Sequence, residues 1–94
     1  MDLKFVWNER KNAINIEKHG VSFSMATIVF SDPGNINWYD SEHSSFSEDR
    51  WKIIGLGGCD VLTVIYTEND DYIRIISARK ADKKEEEEYF NGYC

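Results

Sequence analysis

The chain has 94 residues, 41% hydrophobic and 14% aromatic, which suits one domain with its own core and excludes both a disordered chain and a second domain. Lys and Arg number 11 against 17 Asp and Glu, a formal net charge of −6, which excludes nucleic-acid binding by bulk charge and leaves only binding through locally gathered cations. No apolar run approaches the ~20 residues that span a bilayer, and Met1-Asp2-Leu3-Lys4 lacks a signal-peptide pattern, so a cytoplasmic protein without a membrane partner is expected. Cys59 and Cys94 are too few for a disulfide scaffold or a zinc site.

Phe5-Val6-Trp7 predicts a short strand, and Asn8 a cap for a helix over Glu9 to His19. Ala13, Ile16 and Gly20 fall on one side of that helix, with Ile14 and Lys18 on an adjacent stripe. Lys18-His19-Gly20 reads as a stop, because cations suit the negative end and glycine the left-handed residue that follows. Ser22 caps a second helix over Phe23 to Ser31, whose Phe23, Ala26, Val29 and Phe30 recur at helical spacing, and Asp32-Pro33-Gly34 ends it. The period then changes to alternation. Strands are predicted at Ile36–Tyr39, Arg50–Leu56, Val61–Thr67 and Tyr72–Ser77, with turns at Gly57–Asp60 and Asn69–Asp71 and a polar loop over Asp40 to Ser47. Tyr72, Arg74 and Ile76 fall on one face. A helix is predicted over Ala78 to Phe90, ending at Asn91-Gly92. Helices and strands kept apart along the chain predict an α+β domain: a short N-terminal strand, two helices, an antiparallel twisted sheet of about four strands and a C-terminal helix.

Several blocks carry a resemblance over nearly the whole chain: Phe5-Val6-Trp7-Asn8, Lys18-His19-Gly20-Val21-Ser22-Phe23, Phe30-Ser31-Asp32-Pro33, Glu48-Asp49-Arg50, Tyr66-Thr67-Glu68 and Arg74-Ile75-Ile76-Ser77-Ala78-Arg79. In these the sequence resembles the BrnT toxins of type II toxin–antitoxin systems. The resemblance implies a RelE-like fold, endoribonuclease activity that slows translation, and a BrnA-type antitoxin as partner. Operator DNA would be met only indirectly, through that antitoxin. Asn8, Asn69 and the run Glu85 to Glu88 depart from the family pattern, and the last two remove positive charge from surfaces that could touch RNA.

Cleaving RNA without a metal requires a base for the 2′-hydroxyl, cations for the phosphorane and an acid for the leaving 5′-oxygen. No cofactor or metal is expected. Arg74, Arg79 and Arg50 are the candidates for phosphate charge, because a guanidinium holds two oxygens and stays ionised. Alternation lets the three converge over one sheet face. The alternatives are a solvated Arg74 or one paired with Asp71 or Glu68, and structural ion pairs for Arg79 and Arg50. Lys18 and His19 are candidates to move a proton or steer the backbone, against the alternative that they only end a helix. Glu48 is the carboxylate candidate for the base. His43, in the serine-rich loop, is expected to be exposed and inert. Three readings remain open: a ribonuclease toxin, an inactive binding module that serves as antitoxin partner and co-repressor, and an RNA binder without catalysis.

Overall fold

Two side-chain caps set where the chain first turns helical. A computed structural model, describing residues 3–91, shows Asn8 Oδ1 accepting the Lys11 N–H at 3.0 Å and Ser22 Oγ accepting the Met25 N–H at 3.0 Å. Each cap satisfies a first-turn donor that has no partner within its helix. Between the caps, α1 (Glu9–His19) ends on Gly20, whose φ of 71° is left-handed and whose N–H closes on the Ile16 carbonyl at 2.8 Å. The expected helix over 23–31 is α-helical only at first. α2 (Phe23–Ile28) tightens into a 3₁₀ turn over Val29–Ser31 ahead of Pro33.

Five strands, β1 (Phe5–Val6), β2 (Ile36–Tyr39), β3 (Trp51–Gly57), β4 (Asp60–Glu68) and β5 (Ile73–Lys80), form one sheet in the order β1-β5-β4-β3-β2. The last four are antiparallel to one another, as predicted. β1 adds to the edge parallel to β5, through Phe5↔Ile73 and Val6↔Arg74, and makes the sheet mixed. The β-branched run of β4 is buried from Val61 to Tyr66, as suits a central strand covered on both faces. One face carries Ile53, Leu62, Val64, Tyr66 and Ile75 against Val21, Phe23, Ala26 and Val29. Phe30 seals it, edge-on to Phe5 at 5.1 Å and to Tyr66 at 4.9 Å. Ile54 and Val61 alternate onto the other face and pack with Ala81 and Tyr89.

Tyr89 belongs to α3 (Lys83–Asn91), which begins five residues later than the helix predicted from Ala78. Ala78, Arg79 and Lys80 pair instead with Val64, Thr63 and Leu62. The start is set by a reciprocal cap. The Glu85 N–H donates to Asp82 Oδ1 at 2.8 Å, and the Asp82 N–H donates to Glu85 Oε1 at 2.9 Å. The predicted stop at Asn91-Gly92 falls at the limit of the described residues; Gly92 and Cys94 lie outside them.

Helix α1 docks through asparagines. Ile14 and Ile16 are 54% and 44% exposed, whereas Asn15 is buried. The reason is the sheet edge. β1 covers only Ile73 and Arg74, so β5 would be unpaired at Ala78. Asn15 Oδ1 accepts the Ala78 N–H at 3.3 Å, and its Nδ2 donates to the Ala78 carbonyl at 2.7 Å and the Val21 carbonyl at 2.8 Å. Asn12 Oδ1 accepts the Phe23 N–H at 2.8 Å. The opposite edge is treated alike. β2 pairs no further along β3 than Ile54, and Asp32 Oδ2 accepts both the Leu56 N–H at 2.8 Å and the Tyr89 O–H at 2.5 Å.

Candidate active site

Because α1 runs along the edge of β5, one side of the helix overhangs the sheet. A recess of about 270 Å³ opens there, lined by Lys11, Ile14, Asn15, Lys18 and His19 of α1, Ile76 and Ser77 of β5, and Arg50 just before β3. Trp51 and Ile53 point into or against the core, so alternation sends Arg50 to the other face. Ile76 and Ser77 both reach the recess because of a bulge: Ile65 pairs with Ser77 but Tyr66 pairs with Ile75, leaving Ile76 as an extra residue. Up to Ile75 the alternation holds, with Ile73 and Ile75 in the core and Arg74 against the Tyr72 side chain, and it breaks only beyond, at the bulge; Tyr72 itself lies ahead of β5.

Among the described residues no carboxylate lines this recess. Lys11, Lys18 and His19 make no ion pair among the described residues. Arg50 Nε donates to Glu48 Oε1 at 2.9 Å. The structure thus brings the candidates Lys18, His19 and Arg50 together, and holds Glu48 on Arg50 outside the recess lining.

Arg74 lies in a neighbouring recess of about 350 Å³, lined by Val6, Trp7, Asn8, Lys11 and Arg74. Its guanidinium sits 5.6 Å from the centre of the Tyr72 ring and donates to the Tyr72 hydroxyl at 3.3 Å. Neither Asp71 nor Glu68 pairs with it. Trp7 is fixed by its indole N–H, which donates to Glu9, and by edge-on contact with Phe23 at 6.3 Å.

Arg79 is placed differently. Its Nη1 and Nη2 donate to the two oxygens of Glu85 at 2.7 and 3.0 Å. Glu85 also accepts from the Thr63 hydroxyl at 3.1 Å and has Lys52 Nζ at 3.8 Å. Burial pushes the Glu85 carboxyl up, but the Arg79 hydrogen bonds, the Asp82 N–H, the Arg79 charge and Thr63 outweigh it and hold the pKa at about 2. The Arg79 pKa is raised, chiefly by its hydrogen bond to Glu85. The expected convergence of three arginines becomes two adjacent recesses and one ion pair at the cap of α3.

His43 is exposed, with Nδ1 at 2.6 Å from Asp40 Oδ2. Asp40, Glu42 and His43 offer ligand atoms within 4.8 Å of one another, but Asp40 Oδ1 already accepts the backbone N–H groups of Glu42 and His43. The cluster is a turn. Lys11, not among the residues expected at the site, lines both recesses. Its signal was legible in the spacing: Lys11, Ile14, Asn15 and Lys18 stand at i, i+3, i+4 and i+7, one face of a helix.

A family model described as the ribonuclease toxin BrnT of type II toxin–antitoxin systems matches residues 7–85. The chain belongs to the BrnT toxin family. The BrnT match takes in α1, the first recess, the second recess apart from Val6, and the Arg79–Glu85 pair, and it makes the chain a ribonuclease toxin with a protein antitoxin as partner. No curated protein matches the chain at a significant level. Among the described residues no helix is long and apolar enough to cross a membrane.

Proposed function

We propose that this BrnT protein is a metal-independent endoribonuclease that cuts RNA, slows translation in the cytoplasm and is neutralised by a BrnA-type antitoxin. The observation that carries the reading is the recess itself: Lys11, Lys18, His19 and Arg50 gather with no acid among the described residues of the lining, in a chain of net charge −6. With Glu48 on its Nε, Arg50 keeps its two terminal nitrogens out of any hydrogen bond among the described residues. They are assigned to the phosphorane oxygens. His19, in the last turn of α1, is assigned to protonate the leaving 5′-oxygen, since an imidazole can carry and release a proton. Lys18 steers the phosphate. Glu48 is the carboxylate assigned to the 2′-hydroxyl proton. Arg74 takes a neighbouring phosphate, and Arg79 supports the site by fixing α3.

The test is cleavage of a single-stranded RNA by the purified protein with and without EDTA. The expected result is cleavage in both, reduced about 10²-fold or more by Arg50→Ala. Undiminished cleavage by the variant overturns the site, and loss of cleavage in EDTA overturns metal independence. Growth arrest on expression, relieved by a co-expressed small basic antitoxin, tests the toxin role.

One observation favours a second reading, a partner-binding module without catalysis that contacts operator DNA only through its antitoxin. Glu85 occupies the guanidinium of Arg79 in bidentate fashion, leaving one phosphate-binding candidate engaged. Antitoxin binding with no RNA cleavage would select it.

A further inference from the structure

We propose that Lys11 is an RNA-positioning residue that joins the two recesses into one track, holding neighbouring nucleotides of a single strand on either side of it. The inference rests on the ribonuclease reading and adds a residue and a substrate geometry to it. Lys11 lines both recesses, with Lys18, His19 and Arg50 beyond it in one and Arg74 in the other. It is exposed and makes no ion pair among the described residues. Its backbone N–H serves the Asn8 cap, so its position at the rim is fixed while its ammonium stays available.

The spacing fits a strand of nucleic acid. Lys11 and Lys18 are seven residues apart on one helix, about 10 Å along its axis. That is roughly three steps of a stacked strand at about 3.4 Å per nucleotide. Each recess also pairs cations with apolar surface. Ile14, 54% exposed, and Ile76 lie between the cations of the first, and Trp7 and Val6 line the second. Cations set beside apolar side chains suit a phosphate with its base turned toward the recess, the pattern of single-strand recognition. An RNA duplex keeps its bases stacked inside and cannot offer one to either recess. Exposure of Ile14 on a helix that docks through asparagines is thereby explained, since its neighbours three before and four after are Lys11 and Lys18.

The probe is a short 5′-fluorescein-labelled oligouridine carrying 2′-O-methyl groups, which cannot be cleaved, titrated by anisotropy against wild type, Lys11→Gln and Lys11→Arg over a range of salt. Lys11→Gln is expected to weaken binding about threefold to tenfold and to lower the salt slope by about 0.7, the loss of one phosphate contact on a single strand, while Lys11→Arg retains both. A blunt RNA duplex of the same length is expected to bind more weakly than the single strand. Unchanged affinity and slope in Lys11→Gln, or a duplex bound as tightly as the strand, overturns the track. Wild type that binds the probe with the Lys11-dependent slope but cleaves no RNA keeps the track and overturns the ribonuclease reading. Wild type that cleaves, with Lys11→Gln equal to it in kcat/KM, does the reverse. Neither binding nor cleavage overturns both.

Discussion

Asn15 and Ala78 stand 63 positions apart, yet the Asn15 carboxamide takes both backbone groups of Ala78, accepting at 3.3 Å and donating at 2.7 Å. A side chain substitutes there for a missing strand, and this is how α1 comes to overhang the sheet face. Asn15→Ala leaves the Ala78 N–H and carbonyl and the Val21 carbonyl buried without this partner. The expected loss is about 2–4 kcal/mol, read as a lowered midpoint in urea. Asn15→Asp keeps the acceptor, loses both donors and buries a charge, so it is expected to be worse than Ala.

Acid should unfold the protein through Glu85. Its folded pKa of about 2 lies below the ordinary 4.5. A depressed carboxyl contributes stability that is present above the unfolded pKa and is lost as pH falls through the folded one. The contribution, of order 2 kcal/mol, should disappear between pH 4.5 and about 2. Glu85→Gln is expected to be less stable at pH 7 and to show a flatter stability profile across that window. A variant whose profile parallels wild type would refute the assignment.

Gly55 is packed too closely to carry a side chain. A Cβ there would meet Val29 Cγ1 at 3.0 Å, Asn35 Cβ at 3.1 Å and Asp32 Oδ2 at 3.1 Å. Val29 is fully buried, and Asp32 Oδ2 is held by Leu56 and Tyr89, so none of the three retreats freely. Gly55→Ala is expected to cost about 1–3 kcal/mol. Thermal unfolding, with Tyr89→Phe for comparison, shows how much of that loss comes through Asp32.

Arg50 and Arg79 should separate by phenotype. Arg50→Ala is expected to remove cleavage with little change in midpoint, because both Arg50 and its partner Glu48 keep partial access to water, at 29% and 39%. Arg79→Ala strips a nearly buried Glu85 of its two strongest bonds and is expected to lower the midpoint as well as the activity. Paired melting curves and cleavage rates check both, and His43→Ala serves as a control expected to leave cleavage unchanged, its ring being engaged with buried Asp40 outside both recesses.

Sequence pattern disclosed most of the architecture, for identifiable reasons. Capping residues such as Asn8 and Ser22 act within one turn, and the alternation of β3 and β4 is a local property, so both are visible without tertiary information. Three features were not. The extension of β5 over Ala78–Lys80 is fixed by pairing with β4 and by Asn15, and it competes with a helix-favouring composition. The bulge at Ile76 leaves no trace in the pattern of a single strand. The bidentate hold of Glu85 on Arg79 reverses what a run of four glutamates suggests, because one of them, Glu85, is buried. Lys18, His19 and Arg50 were chosen for their chemistry, and the fold places them in one recess. Lys11 becomes legible only as one step of the stripe through Ile14 and Lys18, because a lone exposed lysine carries no chemical signal of its own.

The separation of a few cations from an anionic remainder also governs how a polyanion would arrive. In low salt an incoming strand meets the long-range repulsion of the whole anionic molecule; as the Debye length shrinks, to about 8 Å in physiological salt, that repulsion is screened and the nearby lysines and arginines prevail at contact. Raising ionic strength should accordingly quicken the first encounter while shortening the residence that follows. A cationic nuclease, whose capture rate falls with added salt, behaves in the opposite way.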